Sequence, residues 1–251
     1  MELLLWTALG VGGSTIIGAL LGFLIKNPSH KINDMILSFA GGVMLAVSIV
    51  GLILPSIDES NKWSILITAI AVLTGAIVLN IIDRLTPHLH RMLEKDIEPH
   101  TKRNNRLSKV LLFVLAIAIH NFPEGIAAGI ASATHNSSQA ISVAGGIALQ
   151  NLPEGMVIIA PMLSVGLSRK KTFFIALATG LIEVVGAFIG YFASSISAVI
   201  LPFALAFAGG TMIYVISDEM IPETHAHGNE KLSTFTLIVG FIVMLVFDFF
   251  I

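Results

Sequence analysis

Two six-residue segments repeat one pattern inside apolar runs: His120-Asn121-Phe122-Pro123-Glu124-Gly125 and Gln150-Asn151-Leu152-Pro153-Glu154-Gly155. On a helix, residues four apart share a face, so His120 stands one turn from Glu124 and Gln150 one turn from Glu154. Asn121 and Asn151 precede the same glutamates by three residues and flank that face. Pro123 and Pro153 have no N–H to donate, which frees the carbonyls of Ile119 and Leu149 from helical bonding. Within a bilayer a freed carbonyl is tolerated only where protein, water or an ion satisfies it. Each motif therefore offers a carboxylate, an amide and a free carbonyl, and the first adds an imidazole.

Charge sharpens the reading. Glu124, Glu154 and Glu183 all fall in apolar stretches, and no Lys or Arg lies near the middle of any of them. A charged carboxylate at the bilayer centre costs at least ~2–3 kcal/mol, so its partner must be a proton or a cation. The imidazole of His120 favours a metal. Nitrogen and oxygen ligands without sulfur suit zinc, and also admit cadmium, iron or manganese. The plainer readings are a polar packing residue at His120 or Glu124, a simple kink at the prolines, and Asn121 and Asn151 as caps for freed backbone groups. Duplication of the whole pattern favours a site over each of these.

The elements that carry these residues are long and apolar. The chain has 251 residues, 55% hydrophobic and 12% charged, where soluble domains carry about 25% charged residues. Several runs reach the roughly 20 residues that span a bilayer. The expectation is an all-α membrane protein of eight spans, at about 3–25, 34–55, 64–83, 108–133, 139–164, 171–196, 199–217 and 232–251. The run from Leu3 to Ile25 has no basic segment before it and no cleavage-like ending, so it reads as a retained span and not a signal peptide. With no cysteines, disulfides and thiolate metal sites are excluded. The stretch 84–109 holds seven of the 14 basic residues and reads as a mobile loop. Placing both termini outside puts every basic residue except Lys62 in the inside loops, as the positive-inside rule asks. The cell membrane is the expected location, the bilayer and divalent metal ions the expected partners, and no nucleic acid is expected.

An internal repeat organises the spans. Ile17-Gly18-Ala19-Leu20-Leu21-Gly22-Phe23 resembles Val185-Gly186-Ala187-Phe188-Ile189-Gly190-Tyr191, and Phe39-Ala40-Gly41-Gly42-Val43-Met44 resembles Phe207-Ala208-Gly209-Gly210-Thr211-Met212, both at one offset. Three spans reverse direction on repetition, so the copies, about 1–83 and 171–251, would be inverted around spans 4 and 5 at about 108–164. That is a transporter architecture with its site near mid-membrane. Glu183 is matched in the repeat by Thr15, so the repeat itself does not demand a carboxylate there.

The two proline-glutamate motifs resemble the signature of the ZIP (Zrt/Irt-like) metal transporters. Asp218-Glu219-Met220-Ile221-Pro222-Glu223-Thr224-His225 is similar to their span-7 ending, and Phe39 to Pro55 to their span 2. The resemblance covers nearly the whole chain. It implies a 3+2+3 inverted-repeat fold and a binuclear metal site between spans 4 and 5. One metal would take His120, Glu124, Gln150 and Glu154, with Met44 close by. The second would take Asn121, Asn151 and Glu183, with Glu124 and Glu154 bridging. It further implies import toward the cytoplasm, often as a homodimer, by movement of one helix bundle against another. Many members carry His at both motif starts, whereas Gln150 stands here, as in a bacterial GufA-like branch. A neutral amide is the weaker ligand, which bears on metal selectivity. Asp83, His88 and His90 resemble a peripheral metal site in that branch, completed by Glu219. The alternative for those residues is a solvated loop with incidental histidines.

Two other functions compete. An intramembrane metallohydrolase could use His120 and Glu124, but the chain has no H-E-x-x-H and its second motif has no His. A metal-sensing receptor would bind without passage and would be expected to carry a signalling domain.

The charge distribution generates a test of orientation. A cysteine at Asn104 would be the only thiol in the chain, and it should resist membrane-impermeant thiol reagents in intact cells. Ready labelling there would reverse the assigned topology.

Overall fold

The structure is a computed structural model that describes residues 1–25, 28–57, 61–85, 102–134, 136–195 and 200–251. Among these residues every regular element is helical. Eight long helices follow one another: α1 (Glu2–Gly22), α2 (His30–Ser56), α3 (Ser64–Leu85), α4 (Lys102–Ala133), α5 (Ser137–Ser164), α6 (Arg169–Ser195), α7 (Ile200–His225) and α8 (Glu230–Phe250). Seven are long and apolar enough to cross a membrane on those grounds alone. The other, α4, is 32 residues long and starts among basic residues. The chain is a multi-pass membrane protein.

Two helices run further than the apolar pattern indicates. α4 begins at Lys102, so Arg103, Arg106 and Lys109 lie in helix rather than in a loop reaching to 109. Lys and Arg are good helix formers, and nothing obliges a helix to stop where the hydrocarbon does. α7 continues past the expected end at 217 to His225. Its segment Ile216–Met220 widens into π-helix, and Pro222 falls in the first turn of the α-helical segment that follows, where its missing N–H is least costly. Asp218 and Glu219 thereby sit on a helix and not beyond one.

The helices form two groups. α1 packs along α5 and α6, and α4 along α6; α2 packs along α8, and α3 along α7. The groups α1, α4, α5, α6 and α2, α3, α7, α8 meet where α2 faces α5 and α7 faces α4. The apolar cluster at this junction includes Ala40, Val43, Met44, Val47, Ala127, Ala128, Val143, Ile147, Ala208 and Met212. α3 and α8 show the least burial, 22% and 17% of their spans, so they form the lipid-facing flanks of their group. Large side chains such as Trp6, Leu73, Phe192 and Phe235 are exposed, as a hydrocarbon solvent allows.

Several close helix contacts occur twice. A Cβ at Gly18 of α1 would come within 2.2 Å of the Leu152 carbonyl on α5, and one at Gly186 of α6 within 2.6 Å of the Phe122 carbonyl on α4. A Cβ at Gly155 of α5 would likewise fall 2.3 Å from the Thr15 carbonyl oxygen, and one at Gly125 of α4 2.1 Å from that of Glu183. In the other group a Cβ at Gly42 of α2 would fall 1.9 Å from the Leu237 carbonyl oxygen of α8, and one at Gly210 of α7 2.2 Å from that of Val72 on α3. Small residues let membrane helices touch backbone to backbone. The π-helical segments of α2 (Val47–Ile53) and α7 (Ile216–Met220) also fall at matching places.

These contacts generate a pair of expected outcomes. Gly18→Ala and Gly186→Ala should each lower thermal stability in detergent by roughly 1–3 kcal/mol, because backbone must shift to admit a methyl group. Gly13→Ala, with nothing within 4 Å of its added Cβ, should leave the melting temperature near that of the parent.

Candidate metal centre

Both motifs lie within continuous helix, with Pro123 inside α4 and Pro153 inside α5. The glycine that closes each motif sits against a neighbouring backbone, Gly125 on α6 and Gly155 on α1. That contact draws α4 and α5 inward and presses the residues one turn before it into the protein. Asn121, Glu124, Gln150, Asn151, Glu154 and Glu183 are all buried.

Glu183 of α6 is a hub. Its Oε1 accepts from Thr15 Oγ1 at 2.6 Å and from Asn121 Nδ2 at 2.5 Å, and its Oε2 accepts from Asn151 Nδ2 at 2.6 Å. One carboxylate thus gathers α1, α4, α5 and α6. Gln150 Nε2 donates to Glu124 Oε1 at 2.6 Å, which joins the two motifs directly. A carboxylate only accepts, so in each contact the amide must present its nitrogen, and the amide oxygen is turned elsewhere.

Those oxygens are the informative atoms. Among the described residues, the buried side-chain polar atoms without a hydrogen-bond partner are three hydroxyls (Ser38, Thr172, Ser194) and four oxygens that only accept: Asn121 Oδ1, Glu124 Oε2, Gln150 Oε1 and Asn151 Oδ1. All four belong to the paired motifs. Buried acceptors are nearly always matched by a donor. A set of unmatched amide and carboxylate oxygens beside a further buried carboxylate, Glu154, fits a cation. The buried charged residues among those described are Asp34, Glu124, Glu154 and Glu183, and none is basic.

His120 lies differently. Its Nε2 is 2.8 Å from Oε1 of Glu219 on α7, so the imidazole spans the junction between the two helix groups. The family resemblance implies a peripheral metal role for Glu219, which here meets His120 across the junction. Asp83 lies in the last turn of α3, while His88 and His90 lie outside the described residues. Met44 is buried in the apolar cluster that packs against Ile119 and Leu149, the chain neighbours of His120 and Gln150. Among the described residues no three His, Asp or Glu side chains are grouped closely enough to hold one ion by themselves. The motif residues would hold an ion only as a mixed set of carboxylate and amide oxygens.

The family description "ZIP Zinc transporter" matches residues 83–248. The chain belongs to the ZIP family. It is 42% identical over 180 residues to the zinc transporter GufA of Myxococcus xanthus, covering 72% of this chain and 69% of that protein. The zinc transporter ZIPB of Bordetella bronchiseptica is 36% identical over 241 residues, 94% of this chain and 77% of that one. The zinc transporter ZupT of Chlorobaculum parvum is 37% identical over 248 residues, 94% and 92% of the two chains. The GufA likeness agrees with the branch that Gln150 indicates.

Sequence reasoning passed over three contacts. Thr15, the repeat counterpart of Glu183, is hydrogen-bonded to it. Equivalent residues that touch must lie beside the axis relating their copies, and that was the available signal. Asp34 bonds His227 and Asn229. Ser142 of α5 donates to the Asp248 carboxylate near the end of α8; a single Asp in a terminal turn gives no pattern to notice.

The hub generates a stability test. Thr15→Val keeps the shape and removes one donor to a buried carboxylate, so it should cost about 1–3 kcal/mol in detergent unfolding. An unchanged melting temperature would show that the hydroxyl contributes nothing there.

Proposed function

We propose that this chain carries divalent transition-metal cations, zinc foremost, across the cell membrane toward the cytoplasm. The observation that carries the reading is the set of four unmatched buried oxygens on Asn121, Glu124, Gln150 and Asn151. Cadmium, iron and manganese fit the same nitrogen and oxygen ligands. One ion would take Glu124, Glu154, Gln150 and the His120 imidazole, near Met44. A second would take Asn121, Asn151 and Glu183, with Glu124 and Glu154 shared between the two. Two carboxylates between two dications supply charge without a basic residue to compete for it.

The ligands sit on α4, α5 and α6, in one helix group, while Glu219 reaches them from the other. We place the two inverted copies at about 1–83 and 171–251, on either side of α4 and α5, in support of which the contacts of Gly18, Gly155 and Gly42 recur at Gly186, Gly125 and Gly210. Sliding of one group on the other exposes the site to one face at a time. Ala40, Ala127, Ala128 and Ala208 keep parts of the junction smooth, which suits such movement. Glu219 competes with an arriving ion for His120, and it lies toward the end of α7 on the side of the basic loops. Handover from His120 toward Glu219, and then toward Asp83, His88 and His90, gives a release path on that side. With both termini outside, release is cytoplasmic.

The metallohydrolase reading loses ground on geometry. His120 is held by Glu219, and the second motif presents an amide to the site where a hydrolase would want another imidazole. Zinc flux into sealed liposomes separates transport from hydrolysis and from binding without passage.

The same assay tests the site. Two unit charges 4 Å apart attract by on the order of 4 kcal/mol at an effective dielectric constant of 20, and a dication doubles that. Glu124→Gln and Glu154→Gln should each reach the membrane and lose most zinc flux. Gln150→His should keep flux and lower the apparent KM for zinc, since imidazole binds zinc more firmly than an amide oxygen. Parent-like zinc flux in both glutamine variants would refute this pathway.

A further inference from the structure

A second polar cluster closes one end of the group formed by α2, α3, α7 and α8. His30 and Asp34 stand in the first turns of α2. His227, Gly228 and Asn229 link α7 to α8, with Gly228 at φ 79° allowing the sharp turn. Asp34 is 3% exposed. Its Oδ1 lies 2.9 Å from Nδ1 of His227, and its Oδ2 accepts from Asn229 Nδ2 at 2.9 Å. The rings of His30 and His227 stack at 4.5 Å between centroids, 24° apart.

The contact with Asp34 decides what His227 can do. A carboxylate accepts, so Nδ1 carries the proton, and in the neutral ring the Nε2 lone pair is available. Metal-binding histidines are oriented this way, with one ring nitrogen held by a carboxylate and the other on the metal. The side chain of His227 is 29% exposed, so the ring is within reach of solvent. His225, two residues earlier, is committed at both nitrogens, Nδ1 at 2.7 Å from the Ile221 carbonyl and Nε2 at 3.1 Å from Thr234 Oγ1. His30 is exposed, and its ring has no hydrogen-bond partner among the described residues. Stacked rings cannot both aim a lone pair at one ion, so joint binding requires the exposed His30 ring to turn off the stack.

We propose that His30 and His227 form a second divalent-cation site at this end of the molecule, with Asp34 as the buried carboxylate that orients His227 and water completing the coordination. Two imidazoles select zinc, cobalt or nickel over calcium and magnesium, which prefer oxygen. An ion here ties the start of α2 to the link between α7 and α8. The site lies at the membrane face that holds the basic loops and is separate from the paired motifs. It rests on the transport reading only for the identity of the natural ion.

Zinc binding to the purified full chain in detergent, after stripping with a chelator, tests the site without reference to flux. In a Glu124→Gln/Glu154→Gln background, His30→Ala and His227→Gln should each bind one zinc fewer per chain. Asp34→Asn should weaken that ion about 10- to 100-fold, and His225→Gln should leave it in place. His30 is on the surface, so its variant folds even where another does not. Unchanged stoichiometry in His30→Ala overturns the paired site, whatever His227→Gln does. If the background itself bound as much zinc as the parent, the central site would fail while this one stood.

Discussion

A carboxylate in a membrane interior must be satisfied by something, and here no basic side chain is on hand to do it. Glu124, Glu154 and Glu183 are buried together, and like charges so placed repel as well as lose hydration. The chain answers with neutral donors. Thr15 and the two asparagine amides hold Glu183, and Gln150 holds one oxygen of Glu124. Hydroxyls and amides donate without bringing a positive charge of their own. An arginine in their place would satisfy the glutamates better and leave nothing for a cation to do. The requirement to hold anions without neutralising them explains why the proposed ligand set is built from amides as much as from acids.

Each amide serves two purposes because its ends differ. The nitrogen side is used up on a carboxylate, and this forces the oxygen side toward the remaining space. Asn121, Asn151 and Gln150 thereby convert a donor requirement into a set of aimed acceptors. An aspartate at either asparagine position would add charge but could not donate to Glu183, and the hub would lose a strut. The backbone does the positioning. Glycine contacts at van der Waals limits fix the depth of α4 against α6 and of α5 against α1, and a helix held at backbone distance has little room to rotate its ligands away.

Much of this was legible in the chain because membrane helices leave a plain signature. Apolar length marked the spans, and a duplicated motif with acids and prolines in hydrocarbon marked α4 and α5 as the site. What was not legible lies in contacts between distant residues. His120 and Glu219 are separated by 99 residues, and Asp34 and His227 by 193. The extent of α7 was also hidden, since apolarity reports where hydrocarbon ends and not where a helix ends. That eight-residue difference matters, because it carries Glu219 on a helical turn and brings it to His120. A π-helical segment in the same stretch shifts the side chains after it around the axis, which no 3.6-residue pattern reports.

The places where the two halves of the molecule differ are the places where direction can enter. Packing repeats at several glycines, and a fully symmetric carrier has no preferred side. The chemistry is not symmetric. Thr15 stands opposite Glu183, so the charge at the hub comes from one copy and the neutral donor from the other. Gln150 stands opposite His120 and turns inward to Glu124, while His120 turns outward across the junction to Glu219. Glu219 lies on the π-helical segment of α7; the corresponding segment of α2, Val47–Ile53, contains no acid at all. On the proposed transport path an ion leaving the centre would meet a carboxylate toward the α7 segment, while the equivalent α2 segment offers only Val47, Ile49, Val50, Leu52 and Ile53 with Ser48 and Gly51 between them. In the proposed carrier, unequal side chains at equivalent positions would make the two alternating openings lead to different surroundings.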